Sequence, residues 1–95
     1  MANWRKTASE IKDYVFDWSD WLTEGDTLTS VDLTAADGLI ADSPAPEITG
    51  DGTTVTLWIS GGEAVHDYPI TCTVETAQGR TAERTKLIRV TERLP

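Results

Sequence analysis

The 95-residue chain holds one cysteine, Cys72, and one histidine, His66, and no lysine or arginine anywhere in residues 13–79. Each shortage excludes something. A lone cysteine allows no intrachain disulfide, and small secreted domains usually lean on disulfides, so synthesis in a reducing cytosol is expected. The opening residues Met1 to Lys6 lack the apolar run of a signal peptide, and no stretch approaches the ~20 apolar residues that span a bilayer. Neither a leader nor a membrane partner is therefore expected. A long stretch without cations is poorly suited to neutralising phosphates, which argues against direct nucleic-acid binding. No glycine-rich loop leads into a helix, so there is no phosphate cradle.

Catalytic pairings are missing as well. His66 neighbours Asp67 in the segment Glu63 to Asp67, but no nucleophile stands at a fixed distance from it, and an exposed loop histidine is expected. The serines lack the strand-to-helix elbow of a nucleophilic serine. Cys72 falls in mid-strand facing inward, where a thiol behaves as a small hydrophobe. Asp17, Asp20, Glu24 and Asp26 lie close together, and Asp37 and Asp51 each precede a glycine. None of these follows the alternate-position spacing of compact calcium motifs. The residues point to no enzyme, no cofactor and no metal.

What is present is charge of both signs, sharply segregated. The net charge is −8, made of +2 over residues 1–12, −13 over 13–79 and +3 over 80–95. At this length the chain makes one small domain with one modest core.

Residues 1–12 are basic and polar with isolated Trp4 and Ile11, and are expected as an extended N-terminal arm, ordered by a partner or else frayed. Thr7 to Glu10 fits a capping box, but no helical apolar run follows it. From residue 13 to 95 the pattern turns to short strands. Tyr14, Phe16 and Trp18 share one face. Thr27 to Thr34 alternates, which puts Thr29, Val31 and Leu33 together. Gly38 to Ala41 forms a short strand, ended by Asp42 to Pro46. After the Gly50-Asp51-Gly52 turn, Thr53 to Ser60 sets Val55, Leu57 and Ile59 against Thr54, Thr56, Trp58 and Ser60. Tyr68 to Thr76 places Tyr68, Ile70, Cys72 and Val74 on one face. A turn at Gln78-Gly79 leads into Arg80 to Glu92, with Ile88 and Val90 in phase with Lys86.

About seven short strands with turn signals every 8–12 residues predict an all-β fold, a single immunoglobulin-like antiparallel β-sandwich. The inward residues would supply its core. Tyr68 is placed to bond back to the preceding loop backbone. The last strand would lie beside the Tyr68–Thr76 strand, putting a basic stripe on an acidic body.

The four tryptophans are the remaining signal. Trp18 and Trp21 flank Ser19-Asp20, so that one packs inward and the other faces a partner. Trp58 sits on the wet face of its strand and is either a binding residue or a cover for the sheet edge. Candidate partner-binding residues are thus Trp4, Arg5, Lys6 and Ile11 in the arm, with Trp21 and Trp58 on the body.

Two runs resemble small Ig-like virion proteins of tailed bacteriophages, of the fiber–tail adaptor type. The first is Lys12 to Leu22, with Asp13-Tyr14 and Asp17-Trp18-Ser19. The second is Gly52 to Gly62, with Trp58 and Ser60-Gly61-Gly62, followed by Tyr68, Ile70-Thr71-Cys72 and Thr76 to Thr81. The likeness spans about Lys6 to Arg93. Where members often carry Lys-x-Pro-x-Glu, this chain has Lys6-Thr7-Ala8-Ser9-Glu10. The resemblance implies a structural protein of the virion that joins tail or neck proteins to tail fibers, with other copies of itself in a symmetric assembly. It implies no catalytic residue. Alternatives are a capsid decoration protein, or an Ig-like module that binds a host surface or carbohydrate.

Overall fold

A computed structural model describes residues 3–41 and 45–92. Eight strands follow one another, β1 Trp4–Thr7, β2 Lys12–Asp17, β3 Leu28–Ala35, β4 Leu39–Ile40, β5 Glu47–Thr49, β6 Thr54–Gly61, β7 His66–Thr76 and β8 Thr81–Thr91, with no helix among the described residues. They form two sheets. One has the order β1-β8-β7-β3; in the other, β6 pairs with β2 on one side and with β4 and β5 on the other.

Two-residue alternation explains how the layers meet. Val55, Leu57 and Ile59 of β6 are fully buried, as are Ile70 and Cys72 of β7 and Ile88 and Val90 of β8, with Val74 nearly so. Phe16 and Trp18 close the core from β2 and the turn after it. These are the inward positions that the sequence pattern marks, and the chain is an all-β sandwich. Tyr68 is only partly buried, and its hydroxyl accepts the Glu63 N–H at 2.9 Å, tying the β6–β7 loop to the strand that follows.

Two local readings differ. A register shift between Leu28 and Ser30 interrupts the β3 alternation, so Leu28 is buried, Val31 and Leu33 follow it inward, and Thr29 is left exposed. The second difference is the N-terminal segment. Trp4–Thr7 runs parallel to β8 as the edge strand of the first sheet, in register Trp4 to Ile88 and Lys6 to Val90. Trp4 stacks on Tyr14 with centroids 4.6 Å apart and meets Phe16 edge-on at 5.1 Å. The aromatic surface of β2 is what this strand covers. The capping-box residues close the turn to β2 without a helix: Glu10 Oε1 accepts the Thr7 N–H at 2.7 Å.

At the opposite end, the β2–β3 loop is fixed by Asp26, which is 5% exposed and whose Oδ1 accepts the N–H groups of Thr27 and Gln78. The Asp42-Ser43-Pro44 part of the expected strand-ending segment lies outside the described residues, as do Met1, Ala2 and residues 93–95 with Arg93.

Candidate docking surface

The two outer faces of the sandwich differ in chemistry. On the β1-β8-β7-β3 sheet, outward positions are threonine-rich and charged. Thr71 and Thr85 share a hydrogen bond at 2.9 Å, Thr73 donates to Glu83, and Arg89 pairs with Asp67 at 3.3 Å. This is the wet face typical of a one-sided antiparallel sheet.

The other sheet turns Thr54, Thr56, Trp58 and Ser60 outward, opposite to the buried Val55, Leu57 and Ile59. Cross-strand register places Asp17, Val15 and Asp13 of β2 beside Thr54, Thr56 and Trp58. From the far side, Glu47 faces Thr56, Thr49 faces Thr54, and Ile40 faces Ser60. Thr49 Oγ1 bridges to Thr54 and Thr56 at 2.8 and 3.0 Å, holding β5 to β6. Val15 is 48% exposed and Ile40 47%; Ile11, just ahead of β2, is 66% exposed. Three of the four exposed large apolar residues among those described therefore belong to this face or its rim; the fourth, Val65, is in the β6–β7 loop. Trp58 is partly exposed between them, with no ring stacked on it among the described residues.

The six residues singled out from sequence are dispersed. Trp58 and Ile11 fall on this face and its rim. Arg5 is exposed on the β1 edge. Trp4 is committed to Tyr14 and Phe16. Lys6 has no exposed surface at all, which removes it from any docking surface: its Nζ donates to the carbonyls of Thr7 at 2.7 Å and Gly61 at 2.6 Å. Burial lowers its pKa, and the nearby Glu10 carboxylate partly offsets that. Trp21 is only partly buried, with the Arg80 guanidinium 4.0 Å from its ring centroid and Trp18 edge-on at 5.4 Å.

The basic stripe on β8 is real but engaged. Arg80 lies over Trp21, Arg84 over Trp18 while reaching Asp20 and the Asp17 carbonyl, and Lys86 points toward Trp4. Cations spread over indole rings bury their stems and hold the tryptophans in place.

Val15 and Ile40 are the residues that the sequence reading missed on this face. A signal existed for Val15: with Tyr14 and Phe16 inward, a β-branched apolar residue between them must face outward. Ile40 had no comparable signal, because β4 is two residues long.

No three His, Cys, Asp or Glu side chains converge as a metal site among the described residues. A shallow cavity of about 180 Å³ opens between β3 and β4, lined by Leu33, Ala35, Leu39 and Ala41.

Comparison with known proteins gives a family. The family model of the podophage GP4 fiber-tail adaptor protein gp77 matches residues 6–89. No curated protein matches the chain. The chain belongs to this family, and so to the structural adaptors that join a phage tail to its fibers.

Proposed function

We propose that the chain acts as a two-sided connector in the virion, without catalysis of its own, each broad face of the sandwich meeting a different neighbour. The observation that carries this reading is the contrast between the faces: threonine and charge on one, Trp58 with Val15 and Ile40 on the other. A substrate site needs a concave pocket with convergent polar groups, whereas two unlike flat faces suit contacts with two unlike proteins. The β8-β7-β3 and β2-β6-β5 strand triplets support an immunoglobulin-type sandwich. In that reading one neighbour is a tail or neck protein and the other the tail fiber, the contacts are with protein rather than nucleic acid, and synthesis occurs in the host cytoplasm. Several copies around the tail would turn weak single contacts into strong avidity.

The test is cryo-electron microscopy of purified particles from wild-type phage and from phage lacking this gene. The expected result is density for the sandwich between tail and fibers in the wild type, and fiberless tails without it. Fibers retained in the deletion, or density confined to the capsid lattice, overturns the reading.

A further inference from the structure

We propose that the outer face of the β2-β6-β4/β5 sheet docks a segment of another virion protein that presents aliphatic or aromatic anchors flanked by lysine or arginine. The inference rests on the adaptor reading and names the partner chemistry for one of its two faces.

The apolar half of the specification comes from Trp58, Val15 and Ile40. Val15 and Ile40 are about half exposed although they stand at regular strand positions, where alternation would ordinarily place polar residues. Tryptophan with aliphatic neighbours is the composition of binding hot spots.

The charged half comes from the rim. Asp13 lies directly across from Trp58, Asp17 across from Thr54 and Glu47 across from Thr56. No outward position of these four strands carries a basic residue. Asp13 and Glu47 make no ion pair among the described residues. A purely apolar partner would strip water from these carboxylates and give nothing back, which is costly. A partner with cations beside its anchors avoids that cost and is also steered toward the face.

A second copy of the chain supplies this chemistry poorly. Lys6 is buried, Arg80, Arg84 and Lys86 lie against tryptophans, and Arg89 is paired with Asp67. Of the described cations, only exposed Arg5 and half-buried Lys12 lack such an engagement, and they lie on different sheets. The complementary cations therefore come from a different protein.

The experiment uses phage carrying three alleles: Trp58→Glu, the pair Val15→Asp with Ile40→Asp, and the pair Asp13→Lys with Glu47→Lys. Glu24→Lys, exposed in the β2–β3 loop and on neither broad face, is the control. Purified variant proteins are checked by thermal melting, and adaptor and fiber are quantified in purified particles. The Val15, Ile40, Asp13 and Glu47 changes are all at exposed positions, so they keep the test decisive even if Trp58→Glu unfolds. The expected result is at least a ten-fold loss of fiber or of adaptor from particles for the folded face variants, and wild-type amounts for Glu24→Lys. Normal particles from the folded face variants overturn the proposal. So does a purified wild-type protein that self-associates in sedimentation velocity and is made monomeric by the Val15/Ile40 pair, because the occupant is then a second copy. If the wild-type protein is itself missing from the tail–fiber junction, the adaptor reading fails, an outcome distinct from either of these.

Discussion

Lys6 Nζ donates to the carbonyl oxygen of Gly61 at 2.6 Å, joining the edge strand of one sheet to the end of the central strand of the other. Its second bond, to the Thr7 carbonyl, leaves the ammonium held between two backbone oxygens with no exposed surface. Gly61 can offer its oxygen because it adopts φ of +79°, and a side chain there would lie 2.8 Å from the Gly38 carbonyl oxygen. The Ser60-Gly61-Gly62 run and Lys6, far apart in sequence, thus form one structural device.

Replacing Lys6 by methionine keeps the apolar stem and removes the donor. The Gly61 oxygen loses its side-chain partner, and the expected cost is about 1–3 kcal/mol of unfolding free energy, read from denaturant melts. The pH dependence gives a second readout. Burial lowers the Lys6 pKa below the ordinary 10.5, so between the folded pKa and 10.5 the unfolded chain binds more protons. Wild-type stability should therefore gain from this group as pH rises through that window. Lys6→Met should lack that gain.

Gly62 tests the packing beside it. A Cβ at this position would lie 2.7 Å from Val90 Cγ2 and 3.0 Å from Leu39 Cδ2, at φ of +90°. Gly79 has φ of +84° but nothing within 4 Å of such a Cβ. Gly79→Ala should cost about 1–2 kcal/mol for the backbone alone. Gly62→Ala should cost about 1–3 kcal/mol more, because two core side chains must move. Equal melting midpoints for the two variants would contradict the close packing of Gly62 against β8 and β4.

The core was legible because β6, β7 and β8 keep strict alternation, and every inward residue from Val55 to Ile59 and from Ile70 to Val74 is apolar or the neutral thiol. The place of β1 was not. Its inward positions are Trp4 and Lys6, and a lysine at a core position defeats any reading by hydrophobic period. Its partner, β8, lies at the far end of the chain and pairs in parallel, a contact that no local pattern encodes. Trp21 and Lys6 look like binding residues in the sequence for a related reason. Aromatic and basic types are favoured at interfaces, but the cation over Trp21 comes from Arg80, and the acceptor for Lys6 from Gly61. Trp58 was legible because its strand neighbours fix which way it points.

Truncation of residues 1–7 follows from the place of β1. Its loss uncovers Tyr14 and Phe16, strips the edge of β8 and deletes Lys6. The expected result is a destabilised domain, by about 3 kcal/mol or more, with a lower melting temperature before any question of assembly arises. An unchanged melting temperature would show that β1 contributes no stability to the sandwich.

Cys72 should be silent in the native protein. It is fully buried, and burial pushes its thiol up to about 11, against a smaller opposing effect of the Trp18 indole N–H. At pH 8 almost no thiolate exists in the fold, so a disulfide reagent should report no reaction on the mixing timescale. In denaturant the same reagent should titrate one thiol per chain. Rapid native labelling would place Cys72 outside the core.

Tyr14 gives the alkaline limit of the fold. Burial, then the Glu10 and Asp13 charges, raise its hydroxyl to about 12 from the ordinary 10.0. The hydroxyl donates to the Arg5 carbonyl, linking the edges of β1 and β2. A group whose folded pKa is raised contributes stability that is whole below its unfolded pKa and lost as pH climbs toward the folded one. This contribution should therefore be constant up to about pH 10 and decline between 10 and 12. Tyr14→Phe removes the titrating group while keeping the ring stacked under Trp4. The variant should be less stable than wild type by about 1 kcal/mol at pH 8, and the gap should narrow as pH rises toward 12. Denaturant midpoints of both proteins at pH 8, 10 and 11 measure it; a gap that widens with pH would mean the Tyr14 hydroxyl is not held as a donor in the fold.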